Sequence, residues 1–285
     1  MSAAALREAP PREVHISRRN FDRLARFIYS YSGIKMPEGK KTMLEGRLRR
    51  RLRATGFETF DDYCAHLFEQ DGLESEAVHL IDAVTTNKTD FFREPRHFDY
   101  LIQTALPALR DSGLREVRAW SAACSTGAEP YTLAMVLQAL ADAGRGMDYS
   151  ILATDLCTDV LETARCGIFQ EEMVKPVPRE LRRRFVMTAL NPGRREVRIS
   201  PVLRANVGFA RLNLMDASYA VGAPMDLIFC RNVLIYFDKP TQAAVLRRLC
   251  DCLKPGGYLF IGHSESIAGV NLPVSQVANT VFRRT

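Results

Sequence analysis

The sequence contains no uninterrupted apolar run approaching the roughly 18 residues of a membrane-spanning helix, so no membrane insertion is expected. It has no G-x-G-x-x-G and no Walker lysine motif, so neither a dinucleotide nor a nucleoside triphosphate is announced. Its seven cysteines (Cys64, Cys124, Cys157, Cys166, Cys230, Cys250, Cys252) are scattered and form no C-x-x-C pairing with histidines. A structural zinc is therefore not expected and no metal is assigned; free thiols in a reducing cytosol, hence a cytoplasmic protein, are the default. There is no internal repeat and no low-complexity tract. The first residues are rich in alanine and proline but lack the apolar core of a signal peptide, and residues 1–14 are expected to be a flexible tail.

What is present fits a globular chain of 285 residues, 47% hydrophobic and 25% charged, long enough for one large or two modest domains. The formal charge of +6 asks for an acidic partner without saying which. The charge has a location, the segment Lys40–Arg53. There Leu44, Leu48 and Leu52 recur every four residues and predict a buried stripe, while Arg47, Arg50 and Arg53 recur every three on a neighbouring solvent face. Such a run can be a plain solvated surface. The mutual repulsion of so many arginines within two turns favours a docking surface for something acidic.

Residues 15–88 read as helices throughout, punctuated by Gly33, Pro37, Gly39, Gly56 and Gly72, and predict a small all-α domain. Residues 89–285 alternate strands and helices, the pattern of a parallel α/β sheet. Strands are expected at Val117–Trp120, Tyr149–Thr154, Val207–Arg211, Met225–Cys230 and Gly257–Gly262. Helices are expected at Pro95–Ser112, Glu129–Ala143, Thr158–Cys166 and Pro240–Cys252. At about 167–206 the alternation breaks. A polar helix, an Asn191-Pro-Gly193 turn and the alternating Val197 and Ile199 suggest a small antiparallel insertion, since about forty residues is too long for a plain connection.

The segment Trp120-Ser-Ala-Ala-Cys-Ser-Thr-Gly-Ala-Glu-Pro-Tyr-Thr-Leu-Ala-Met135 reads as a strand, a tight turn and a helix start. Ligands of open α/β sheets collect at such strand ends. Small residues there, Gly127 among them, allow close backbone approach, and Glu129 offers an acceptor-only group for an amine or a ribose. An ordinary strand-to-helix turn would look similar. Asp155 follows the second strand, where an acid takes ribose hydroxyls, although a helix N-cap is an equally physical role. Arg231 and Asn232 fall where the fourth strand opens into the crevice, with Tyr236 one turn further. Leu253-Lys-Pro-Gly-Gly257 then feeds a late strand. This order is the usual layout of S-adenosylmethionine-dependent methyltransferases.

Five motifs narrow the reading. Thr86-Asn-Lys-Thr-Asp-Phe-Phe-Arg-Glu94, Trp120 to Tyr131, Ala153-Thr-Asp155, Phe229-Cys-Arg-Asn-Val-Leu-Ile-Tyr-Phe237 and Leu253 to Gly257 closely resemble the CheR-type methyltransferases, which methylate glutamates on bacterial chemotaxis receptors. The resemblance implies an all-α N-terminal domain, a Rossmann-like methyltransferase domain and a small antiparallel β-subdomain. It implies S-adenosylmethionine as cofactor, with Asn87, Thr89, Arg93, Glu129, Asp155, Asn213, Leu214, Arg231 and Asn232 at cofactor-contacting positions. It implies as partner the acidic helical cytoplasmic domain of a receptor, opposite Arg47, Arg50 and Arg53. In some members the β-subdomain also takes a peptide from the receptor's C-terminus by strand addition. One departure is Ala128, where the family often has a polar residue.

The chemistry sets modest demands. A glutamate with an ordinary pKa of about 4.3 is already ionised at neutral pH and needs no general base. The protein must align it and partly remove its water. Arg93 is the residue expected nearest the reacting groups, orienting a carboxylate through charge-assisted hydrogen bonds. Tyr236 either positions the substrate carboxylate or packs beside Phe237. Two rival classes are a nucleic-acid methyltransferase and a cofactor-binding signalling module without catalysis. Against the first stands Cys230-Arg-Asn-Val in place of the Asn/Asp-Pro-Pro-Tyr/Phe of amino-methylating enzymes, so no nucleic-acid partner is expected. Against the second stand Arg93, Glu129, Asp155 and Arg231, all present.

Overall fold

Apolar periodicity divides the chain into a 3.6-residue region and a two-residue region, and the computed structural model follows that division. It describes residues 15–191 and 193–285; the expected N-terminal tail lies outside them, as does the central proline of the Asn191–Gly193 turn. The chain forms two compact units, one of residues up to Ser30 plus Met36–Val84, the other of Tyr31–Lys35 plus Thr85–Thr285.

The first unit is helical: α1 (Arg18–Ser32), α2 (Lys41–Thr55), α3 (Phe60–Glu69) and α4 (Leu73–Val84). Leu24, Ile28, Leu44, Leu48, Tyr63 and Leu80 are buried at helical spacing. Thr59 caps α3 by accepting the Asp62 N–H, and Gly56 ends α2 in the left-handed conformation that glycine adopts freely. The arginines of α2 divide unexpectedly. Arg50 and Arg53 are exposed, as is Arg49. Arg47 is half-buried and donates to the Val84 carbonyl, so it does not belong to the free basic face its spacing suggests. Arg51 turns inward and pairs with buried Glu76, Nε to Oε2 at 2.7 Å, while the Tyr63 hydroxyl donates to the same oxygen at 3.2 Å. The Arg51 hydrogen bonds outweigh burial and hold the Glu76 carboxyl below the usual carboxylate range.

The second unit is an α/β sheet with helices on both faces. A helical stretch of α5 (Pro95–Tyr100), a π-type turn (Leu101–Ala105) and α6 (Leu106–Asp111) leads into β1 (Glu116–Ala122). There follow α7 (Ala128–Asp142), β2 (Asp148–Asp155) and α8 (Thr158–Cys166). The insertion consists of β3 (Ile168–Gln170), α9 (Arg179–Phe185), β4 (Val186–Thr188), β5 (Glu196–Ile199) and α10 (Pro201–Arg204). Its three strands pair antiparallel in the order β3-β5-β4. β6 (Val207–Arg211), β7 (Met225–Cys230), α11 (Lys239–Asp251), β8 (Leu253–Ile261), β9 (Val274–Ala278) and β10 (Val281–Arg284) complete the chain.

The main sheet runs β6-β2-β1-β7-β8-β10-β9, with the first five strands parallel and β10 antiparallel to both of its neighbours, β8 and β9. Strand alternation sorts its residues between two cores. Val117, Ala119, Leu227, Phe229 and Phe260 join α7, while Trp120, Ile228, Leu259 and Ile261 join Val245, Leu246 and Leu249 of α11. Two strands, β9 and β10, lie beyond the expected set. β8 begins at Leu253 rather than Gly257, because Lys254–Gly257 bulge out of register with β7 instead of forming a separate turn.

Candidate active site

The carboxyl ends of β1, β2 and β7 open onto a cleft of about 900 Å³, its open mouth included. It lies wholly within the second unit, because the short segment Tyr31–Lys35 contributes Ser32 and Ile34 to its wall. Asn87, Thr89, Arg93, Glu129, Asp155, Asn213, Leu214, Arg231, Asn232 and Tyr236 all line it. Residues from 87 to 236 meet here because parallel strands deliver their following loops to the same sheet edge.

Gly127 does not line it. The residue stands at φ 94° before α7, and a Cβ there would lie 3.0 Å from the Cβ of Ala164. Glycine is required there by the left-handed turn and by the approach of α8. Ala123 and Ser125, at φ 60° and 52°, are the residues of this turn that line the cleft.

The two acids of the cleft are fixed from behind. Asp155 accepts the Ser125 N–H on Oδ2 at 2.8 Å and the Cys157 N–H on Oδ1 at 2.9 Å. It thus laces the β1 turn to the end of β2 while lining the cleft; the N-cap of α8 is Cys157 and not Asp155. Glu129 accepts the Ser121 hydroxyl on Oε1 at 2.6 Å and Arg231 Nε on Oε2 at 2.7 Å. Both acids line the cleft, where a carboxylate acts as acceptor only. Ser125 Oγ donates to the Asn87 carbonyl at 3.0 Å, which draws the Thr86–Glu94 segment against the same turn.

Arg231 is the hub. Its buried guanidinium lies over the rings of Phe98 and Phe229, 5.3 and 5.6 Å from their centroids. Nη1 donates to the Arg93 carbonyl at 2.7 Å and contacts His97 Nδ1 at 3.1 Å. The Thr280 hydroxyl donates to the Asn279 carbonyl, so it accepts His97 Nε2–H at 2.8 Å and leaves the Nδ1 lone pair to Arg231. Burial, together with the Arg231 charge, lowers the His97 pKa to about 4 and keeps the ring neutral.

Two acids the sequence reading did not single out complete the site. Glu94 accepts Asn232 Nδ2 and the His263 N–H, each at 3.1 Å. Glu265 is buried and accepts the N–H groups of Asn232, Leu234 and Gly262 at 3.0, 2.7 and 2.6 Å. A Cβ on Gly262 would lie 2.5 Å from Asn232 Nδ2, so only glycine admits this approach. The loop carrying Tyr236 is thereby stapled from below, and its last residues form a short 3-10 turn (Leu234–Tyr236). The signal for Glu94 was its place at the end of the Thr86–Glu94 motif; Glu265 carried none.

Asn213 faces the cleft with its amide engaged, Nδ2 donating to the Tyr31 carbonyl at 2.6 Å and Oδ1 accepting the Met215 N–H at 3.0 Å. Arg93 is half-exposed and donates to the Lys88 carbonyl at 3.0 Å, which leaves most of its five N–H donors available. Cys230 does not line the cleft; burial pushes its thiol well above the ordinary value, so it is no nucleophile.

A parallel α/β sheet with a fixed acid after each of its first two strands and apolar Leu156, Leu214 and Val233 between them defines the class. The acids suit an amine and ribose hydroxyls and the apolar wall suits a purine face, so the residues fit S-adenosylmethionine, and the fold is that of the methyltransferases using it. Residues 87–283 match the SAM binding domain of the CheR methyltransferases, and residues 19–85 match the all-alpha domain of the same family. The chain belongs to the CheR methyltransferase family. It is 41% identical to the chemotaxis protein methyltransferase of Escherichia coli, over 94% of this chain and 91% of that one. It is 40% identical to that of Klebsiella aerogenes, over 100% and 95%, and 38% identical to chemotaxis protein methyltransferase 2 of Pseudomonas aeruginosa, over 95% and 94%.

Proposed function

We propose that the protein methylates glutamate side chains on the cytoplasmic helical domain of a chemotaxis receptor, giving glutamyl methyl esters in sensory adaptation. The observation that carries this reading is the cleft itself: a CheR-family chain with Glu129 and Asp155 fixed at its floor and Arg93 and Tyr236 on its wall. When bound, S-adenosylmethionine supplies an electrophilic methyl group on a sulfonium whose leaving group is a neutral thioether.

Glu129 and Asp155 accept the ligand's amine and hydroxyl protons, and Asn87, Thr89, Asn213, Leu214, Arg231 and Asn232 complete the binding wall. No group in the cleft needs to remove a proton, since the nucleophile arrives ionised. Arg93 orients the incoming carboxylate, and Tyr236 supplies a second hydrogen bond while excluding water. The exposed Arg49, Arg50 and Arg53 of α2 attract an acidic helical partner at long range. β3 and β4 are the edge strands of the insertion's antiparallel sheet, an arrangement that suits strand addition by a receptor C-terminal peptide. No described helix is long and apolar enough to cross a membrane, and the seven cysteines are free thiols. We place the reaction in the cytoplasm, where such thiols stay reduced.

The test is incubation with methyl-labelled cofactor and receptor-rich membranes, followed by mild base. Volatile label released from receptor is the expected result; label on nucleic acid, or binding without transfer, would overturn the reading. In the same assay Arg93→Ala should lower turnover about 100-fold, roughly 2.7 kcal/mol, while cofactor Kd changes less than about threefold. Equal losses in both would remove Arg93 from the reacting end.

A further inference from the structure

Glu94, His97 and His263 bring ligand atoms within 4.8 Å of one another, a grouping that could hold a metal ion. The Arg231 guanidinium already fills that role. It takes the lone pair of His97 Nδ1 at 3.1 Å and lies 3.5 Å from Glu94 Oε2, so a metal would have to expel a buried cation. The cluster is an arginine site, and its use must be sought in what Arg231 and Glu94 hold.

Glu94 is held in an unfavourable backbone conformation, φ 57° and ψ 65°, two residues after Phe92 at φ 52°. Asn232, its hydrogen-bond partner, stands at φ 61°. Non-glycine residues in this region are strained and persist where surrounding contacts over-determine them, most often at functional sites. The contacts here are specific. Glu94 Oε1 accepts from the Asn232 side chain and the His263 main chain, and Oε2 faces Arg231 and His97 Nδ1, the latter at 3.3 Å. One carboxylate therefore joins three segments: the Asn87–Arg93 stretch, the loop after β7 and the loop after β8. Burial pushes the carboxyl up, but Asn232, the His263 N–H and the Arg231 charge prevail and keep it ionised.

We infer that Glu94 is a positioning residue for methyl transfer, setting the main chain of Arg93 on one wall of the cleft and Asn232 on the other. The Arg93 part of this inference rests on the proposed function. Arg93 itself has a flexible side chain, but its carbonyl is pinned by Arg231 Nη1, and Arg231 is oriented by Glu94 and Glu129 together. Removing the Glu94 side chain leaves Arg231 with Glu129 as its one carboxylate partner and takes the acceptor from the Asn232 amide and the His263 N–H, so both walls loosen while the floor of Asp155 and Ser125 stays intact.

Glu94→Ala, which removes the shared acceptor, tests this by a double-mutant cycle and by amide exchange. On the wild-type background turnover should fall about 10- to 100-fold, and on an Arg93→Ala background by a factor at least about threefold smaller, because the part that acts through Arg93 is already lost and only the part through Asn232 remains. The His263 amide, which donates directly to Glu94, should exchange at least about tenfold faster, whereas amides of α2 should not change. An equal fall on both backgrounds, or unchanged turnover, would overturn the role through Arg93. Unchanged His263 exchange would overturn the positioning itself. If the wild-type protein transfers no methyl to receptor, the proposed function fails, and the exchange result alone decides whether Glu94 holds the cleft.

Discussion

Each unit pairs an arginine with a buried glutamate, and the two pairs do different things. In the helical unit Arg51 and Glu76 close upon themselves with Tyr63, and the pair holds α2 to α4. In the α/β unit Arg231 and Glu129 meet at the same 2.7 Å, yet both partners also line a cleft and reach Arg93, His97 and Glu94 beyond it. Backbone strain follows the second pair. Phe92, Glu94, Ala123, Ser125 and Asn232 adopt positive φ around the cleft, whereas in the helical unit the described non-glycine residues offer only Asp71. A buried ion pair is weak testimony to stability alone. What distinguishes a structural pair from a functional one is whether its remaining hydrogen-bond capacity and its strain open onto a cavity.

The largest effect should come from breaking the cleft pair. Arg231→Ala strands Glu129 and Glu94 without their cation, and loss of about 3–5 kcal/mol of stability with loss of cofactor binding is expected, read by denaturant unfolding and calorimetry. Arg51→Ala sharpens the contrast. Its side chain is 22% exposed, so a smaller loss of about 2–3 kcal/mol is expected, with cofactor Kd unchanged. A change in Kd comparable to that of Arg231→Ala would erase the distinction.

The pH response should also belong to one unit. His97 is neutral in the fold with its pKa lowered to about 4, while the unfolded chain protonates it near 6.5. Between these values the unfolded state binds the extra proton, so stability falls as pH drops through that window. From pH 7 to 5 the wild type should lose about 2 kcal/mol more than His97→Gln, followed by urea titration. Smallest of all, reversing the exposed Arg50 and Arg53 to glutamate should raise KM for receptor about tenfold at low salt, roughly 1.4 kcal/mol, and leave cofactor Kd alone. The same reversal at high salt should matter less, since exposed charges are screened.

Legibility was uneven along the chain. The parallel strands were readable because a buried strand is an apolar run bounded by turn residues, and β6 and β7 fell on their expected residues. β9 was not readable: its sequence Val274-Ser-Gln-Val-Ala278 is an edge strand with one paired neighbour and little apolar signal. β3 was too short, three residues that exist only because β5 pairs with them. In the cleft, motif residues were legible one by one, but their division of labour was not. The crowding of Gly127 by Ala164 had no local signal, and Arg47 looked solvent-facing although Val84 accepts from it.

The sequence by itself determined the helical and α/β division, the resemblance to the CheR family, the cofactor and the residues gathered at the strand ends. These follow from local periodicity and from motifs whose order along the chain is fixed by a parallel sheet. Only the tertiary structure decided which arginine faces inward, which glycine packs against a helix, and that Glu94 and Glu265 staple the loop carrying Tyr236. The reason is that hydrogen bonds between residues more than 100 positions apart, such as Arg231 with Glu129, depend on three-dimensional register that no local pattern encodes.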